Sequence, residues 1–151
     1  MIIEGRKEMW DFQLQMKKAL GIDLGEARVG VAISDDLGML AHPLETIPAR
    51  SIDYLERIVS IAAERQVESI IVGMPRNMDG SYGPAATKAR EFIEKLKSQT
   101  SCRVISWDER LTTVSAQRSL HEAGRNTKKQ RPVIDQVAAQ IILQGWLDSV
   151  G

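Results

Sequence analysis

A chain of 151 residues, 43% hydrophobic and 26% charged, has the size and mixture of one ordinary globular domain, not of a disordered or collagen-like polypeptide. Its 20 basic and 20 acidic residues cancel, so no protein-wide positive field advertises a nucleic-acid partner, and any such site must come from local clustering. Apolar runs of only a few residues exclude a membrane-crossing helix, and the single cysteine, Cys102, cannot form an internal disulfide. Residues 1–17 lack the apolar block of a secretory signal, so the expected setting is the cytoplasm.

Residues 1–17 stand apart as an N-terminal extension. Ile3-Glu4-Gly5-Arg6 reads like an engineered protease site, which makes the stretch either a cloning remnant or a natural amphipathic extension carrying Trp10. The domain is expected over 18–151. Leu20, Ile22 and Leu24 alternate with Ala19, Gly21, Asp23 and Gly25, a period of two that predicts a strand. Val29, Val31 and Ile33 predict a second, and Leu44 to Ile47 a third. The short turns between them imply an antiparallel meander.

The period then lengthens. Ile52, Leu55, Val59 and Ala62 recur at helical spacing behind Ser51, placed as the N-cap. Ser69-Ile70-Ile71-Val72-Gly73 is a continuous apolar strand of the kind buried on both faces. A loop rich in turn formers, Met74 to Pro84, leads to a helix over about Ala85–Ser98 and a fifth strand at Arg103–Trp107. A further helix is predicted over Thr113–Glu122, stopping at Gly124, and a last one opens at Pro132. Three meandering strands followed by βαβ crossovers give an α/β fold with a mixed five-stranded sheet flanked by helices.

Three carboxylates sit where carboxylates are costly. Asp23 ends the first strand on a face otherwise made of Ala19, Gly21 and Gly25. As an isolated residue it is equally an Asp of a strand-end turn. Asp108 and Glu109 follow the fifth strand, and because side chains alternate only one of them can share a face with Asp23. The plainer reading is a polar strand end, with Asp108 or Thr112 capping the next helix. Asp135 has Ala139, Ile142 and Trp146 along its own helical face, while Gln136, Gln140 and Gln144 form the polar stripe. A carboxylate on the apolar side needs a partner, either the helix dipole or a bound cation.

Acids converging on one sheet edge repel unless a cation neutralises them, and hard oxygen donors suit Mg²⁺ or Mn²⁺. Such a site fits phosphoryl transfer. His42 and His121 are isolated, so zinc chemistry has no ligand set. Residues 124–131 hold Arg125, Lys128, Lys129 and Arg131 without an acid. This is either a solvated loop or a phosphate-binding one leading into the helix that bears Asp135; Arg28 and Arg110 are further phosphate-contact candidates.

Four segments resemble, in order, the signatures of the YqgF/RuvX proteins. They are Gly21-Ile22-Asp23-Leu24-Gly25 through Arg28-Val29-Gly30-Val31-Ala32-Ile33-Ser34-Asp35, then Val72-Gly73-Met74-Pro75-Arg76-Asn77-Met78-Asp79-Gly80, Trp107-Asp108-Glu109-Arg110-Leu111-Thr112-Thr113, and Val133-Ile134-Asp135-Gln136-Val137-Ala138-Ala139. The resemblance covers about 18–149. It implies an RNase H-like fold and a metal-dependent nuclease that processes the ends of pre-16S ribosomal RNA or resolves branched DNA. It further implies an acidic triad of Asp23, Glu109 and Asp135, with Asp108 the alternative to Glu109, and a Mg²⁺ or Mn²⁺ cofactor. The expected partner is structured RNA, with branched DNA second, and the expected state a monomer or homodimer. Pro132 stands where several relatives have a basic residue. Two other readings share these residues. One is a nucleotide-binding protein of the actin–hexokinase type, which generally needs two such lobes; the other is a non-catalytic nucleic-acid or ribosome-binding module.

Overall fold

The computed structural model describes residues 18–50, 53–75, 79, 81–109 and 131–150, with the backbone alone for 131–134. The strands are β1 (Ala19–Leu24), β2 (Arg28–Ser34), β3 (Ala41–Pro48), β4 (Ser69–Met74) and β5 (Arg103–Asp108). The described helices are α1 (Tyr54–Glu64), α2 (Pro84–Gln99) and α3 (Arg131–Val150). The expected helix over 113–122, the basic residues Arg110, Arg125, Lys128 and Lys129, and the extension 1–17 lie outside the described residues.

The strands make one sheet in the order β3-β2-β1-β4-β5. β1–β2 and β2–β3 pair antiparallel, whereas β1–β4 and β4–β5 pair parallel, which is the expected mixed sheet. Alternation along β1 feeds two cores at once. Leu20 and Ile22 join Val29, Val31, Ile70 and Val72 under α1 and α2. Ala19 points the other way, with Ala32, Ala41 and Ile71, toward Ala138, Ala139, Ile142, Leu143 and Trp146 of α3. β4, covered on both sides, is buried throughout, which is why it reads as an unbroken apolar run.

The cap of helix α1 lies two residues beyond the expected Ser51. Asp53 occupies the N-cap without a side-chain bond to the helix, and Ile58, Ile61 and Ala62 form the buried stripe. Arg57 clasps Glu45 of β3 through Nε (2.9 Å) and Nη2 (2.8 Å), which holds the Glu45 carboxyl below its usual range. In α2, Pro84 sits in the first turn and Ala86, Ala89, Phe92, Ile93 and Leu96 face the core. Tyr54 stacks on Phe92 across the two helices, centroids 5.7 Å apart. Cys102 stands just before β5, not within it, and its thiol donates to the Val67 carbonyl at 3.0 Å.

Among the described residues helix α3 alone covers the opposite face, and glycines let it lie almost on the sheet. A Cβ at Gly21 would come within 2.6 Å of the Leu143 Cβ and 2.7 Å of the Ala139 carbonyl, and a Cβ at Gly30 would collide with the Asp135 carbonyl. The glutamines expected to form a solvated stripe instead grip the edge strand. Gln140 Nε2 donates to the Ala41 carbonyl, Gln144 Oε1 accepts from the Ala41 N–H, and Gln144 Nε2 donates to the Met39 carbonyl, each at 2.9 Å.

Because the obstacle at Gly30 is helix backbone, no rotamer change relieves it. Gly30→Ala is expected to destabilise the fold by about 2–3 kcal/mol, the upper range for overpacking. That corresponds to a Tm lower by roughly 5–10 °C in a domain of this size, read by thermal denaturation. An unchanged Tm would show that α3 does not rest on Gly30.

Candidate functional site

The chain leaves β1 for β2 on one side and later returns through α1 to β4 on the other. The sheet therefore has a topological switch between β1 and β4, and open α/β sheets present ligands with a crevice at the carboxyl ends of such strands. Asp23 stands there, next to the last residue of β1 and only 3% exposed. Opposite it across the antiparallel pair is Gly30 of β2. On the parallel side Ile22 is level with Val72, so one further step sets Asp23 beside Gly73.

Gly73 is the hinge of the site's geometry. A Cβ placed on it would lie 2.9 Å from Glu109 Oε1, 3.4 Å from Glu109 Cγ and 2.6 Å from Ile142 Cδ1 of α3. The Glu109 carboxylate thus lies over Gly73, on the α3 side of the sheet. Alternation along β5 agrees: Ile105 and Trp107 pack into the α3 core, Val104 packs into the opposite one, and Asp108 follows Val104. Asp23 and Glu109 therefore share a face, with a bare glycine between their strands. Asp108, in register with Met74, points to the other side.

Asp135 arrives from above. Its backbone carbonyl rests on Gly30, the residue paired with Asp23, so the first turns of α3 are set down beside the β1 carboxylate. Its side chain accepts a hydrogen bond from Arg28 Nε at 2.9 Å, in an ion pair with side chains 29% (Arg28) and 17% (Asp135) exposed. Arg28 opens β2, two residues before Gly30, and therefore shares its face. Sequence patterning identified Asp135 as a carboxylate in need of a partner; the structure supplies a guanidinium of this chain.

Of the residues expected to approach phosphate, Arg28 is thus engaged through Nε, Arg131 begins α3, and the others lie outside the described residues. The three acids lie on the α3 side toward one end of the sheet. Among the described residues no three acid, histidine or cysteine side chains stand close enough to enclose an ion. The candidate donors are nevertheless all carboxylate oxygens. That is the chemistry of a hard cation which keeps several waters, as Mg²⁺ does.

The Arg28–Asp135 pair should behave as a coupled unit. Arg28→Ala leaves a largely buried carboxylate without its donor and is expected to cost about 1–3 kcal/mol. Adding Asp135→Asn should cost less than the sum of the two single changes, with a coupling of at least about 0.5 kcal/mol in denaturant melts. Strict additivity would show that the bond contributes nothing to holding α3.

Known proteins resemble this chain in sequence and in fold. The RuvX family model, described as Holliday junction resolvase, matches residues 17–149. The chain is 49% identical over 137 residues to the "Putative pre-16S rRNA nuclease" of Acetivibrio thermocellus, a match that spans 89% of this chain and 97% of that one. It is 51% identical over 132 residues to the protein of the same name from Halothermothrix orenii, spanning 87% and 94%. Among solved structures, RuvC of Thermus thermophilus in complex with a Holliday junction substrate superposes with a TM-score of 0.53 at 15% identity, over 88% of this chain and 94% of that one, a likeness of fold. With a family match over residues 17–149 and relatives matched over almost their whole length, the chain belongs to the RuvX (YqgF) family of resolvase-like, RNase H-fold nucleases.

Proposed function

We propose that this protein is a divalent-metal-dependent nuclease of the cytoplasm that hydrolyses phosphodiester bonds at the ends of pre-16S ribosomal RNA, with branched DNA as a second substrate. The observation that carries the reading is the Glu109 carboxylate lying over Gly73 on the face of Asp23. With no side chain of its own, Gly73 lets the Glu109 carboxylate reach across β4 toward Asp23, so that two acids share one end of the sheet. The names of the 49–51% identical relatives supply the substrate class.

Asp23 is the fixed member, buried on a strand paired on both sides, so its carboxylate has little freedom to lose on binding. Glu109 follows the last residue of β5 and brings the second carboxylate from across Gly73. Asp135 completes the set from α3, its orientation held by Arg28. Together these three would hold Mg²⁺ or Mn²⁺, which supplies charge stabilisation at the reacting phosphate when bound. Arg110, Arg125, Lys128, Lys129 and Arg131 are assigned to drawing the phosphate backbone toward an acidic edge, contacts that position the strand without reading its sequence.

The deciding experiment incubates pure protein with an RNA carrying pre-16S-type single-stranded ends and with a four-way DNA junction, in Mg²⁺ or Mn²⁺. Cleavage that requires metal and disappears in Asp23→Asn is expected, with the RNA cut faster. Tight binding with no turnover in either metal would instead make the protein a non-catalytic binding module. Glu109→Gln should lose at least roughly 10² in rate, the scale of one transition-state contact, whereas Asp108→Asn should stay near wild type. Equal losses from both would mean that both carboxylates act.

Metal binding has its own readout. At a metal concentration a hundredfold above its dissociation constant the fold gains about 2.7 kcal/mol. A Tm increase of roughly 5–10 °C is therefore expected in wild type and little in Asp23→Asn. The same increase in both proteins would place the ion elsewhere.

A further inference from the structure

Base recognition is the part of substrate binding that the acidic edge cannot provide, and one exposed aromatic residue is built for it. Tyr82 is 46% exposed in the segment between β4 and α2. That segment starts at the carboxyl end of β4, next to Gly73, and α2 starts where it finishes. Tyr82 therefore belongs to the same end of the sheet as Asp23 and Glu109, on the rim nearer α2.

Its surroundings are ordered on both sides. Asp79 Oδ1 accepts from the Ser81 N–H at 2.8 Å and from the Ser81 hydroxyl at 2.5 Å, a turn that fixes the chain just before the tyrosine and keeps the Asp79 carboxyl below its usual range. Gly83 and Pro84, immediately after it, start α2. On the ring itself lies the guanidinium of Arg90, Cζ 4.2 Å from the centroid. Arg90 is exposed on the second turn of α2. An aromatic ring with an arginine layered on it, both open to solvent, combines the two elements that single-stranded nucleic acid seeks: a π-surface for a base and a cation beside it for the adjoining phosphate. The other exposed large apolar side chains, Leu37, Met39, Leu40 and Val150, offer no ring and no such cation.

We infer that Tyr82, held by Arg90, is a stacking subsite for an unpaired nucleobase of the strand whose phosphate reaches the acidic edge. This deepens the nuclease reading and rests on it. It also gives a physical basis for preferring RNA with single-stranded ends over continuous duplex, because only an unpaired base has a face to offer.

Fluorescence anisotropy of a labelled ten-nucleotide RNA, measured without divalent metal so that nothing is cleaved, tests the subsite. Tyr82→Ala should weaken binding by about tenfold, the scale of one base–aromatic stack, while Tyr82→Phe keeps the wild-type affinity. The salt slope should not change, since no charge is removed. The same RNA made abasic should bind wild type and Tyr82→Ala equally. Wild-type affinity in Tyr82→Ala, or an equal loss on the abasic strand, would overturn the subsite and leave Tyr82 a loop residue. Metal-dependent cleavage lost in Asp23→Asn with an unaltered Tyr82→Ala isotherm would sink this inference alone. A base-dependent Tyr82 effect without any cleavage would sink the nuclease reading alone.

Discussion

The contact of α3 with the glycines of β1 and β2 is the constraint on which the site depends. Gly21 meets the Ala139 carbonyl and Leu143, and Gly30 meets the Asp135 carbonyl, so the helix is seated on main chain, not on side chains. Any larger residue at either point would raise the helix and carry Asp135 away from Asp23. The small residues of the α3 face of β1 and β2 (Ala19, Gly21, Gly30 and Ala32) are thus a bed cut to helix width. The opposite face of the same strands carries Leu20, Ile22, Val29 and Val31 at ordinary packing distance beneath α1 and α2. One alternating pattern encodes a tight layer and a normal layer together.

That closeness creates an electrostatic difficulty, and the fold meets it locally. Asp23 and Glu109 flank Gly73 on the α3 face, while Asp135 comes down beside Gly30. Like charges brought to one face disfavour one another unless each finds a partner. Arg28 answers for one of the three. Lying two residues from Gly30, it meets the side chain of the residue whose carbonyl Gly30 receives, so backbone seat and charge partner come from one strand face.

The strands, their order of use and the acidic residues were legible because each leaves a local mark. Period-two alternation located β1 and β2, an unbroken apolar run located β4, and the parity of β5 restricted Asp108 and Glu109 to opposite faces. Which of the two shares the face of Asp23 was not legible. The choice depends on how far the extended backbone continues past Trp107 and on what lies opposite, and Gly73 becomes informative only once β4 and β5 are paired. Partners distant in sequence were equally hidden. Arg28 and Asp135 are 107 residues apart, and Gln140 and Gln144 look like a solvated stripe until β3 is beside them. The cap of α1 was misplaced for a more local reason: Ser51 and Asp53 are both good caps, and residue type alone does not select between them.

The two ends of α3 explain how an exposed edge can still be exact. Near its start the helix is seated on Gly30 and tied by Asp135 to Arg28; between three and four turns from its first residue, Gln144 holds the backbone of Ala41 and Met39 at the far edge of the sheet. A rod fixed at two separate points to one sheet cannot pivot about either, so Asp135 keeps its place relative to Asp23. Asp23 resides on a strand, Glu109 directly after one and Asp135 on a helix, whereas Tyr82 resides in a connecting segment. Chemistry that tolerates little displacement is thereby placed on the rigid layer, and recognition that must accommodate different strands is left to the rim.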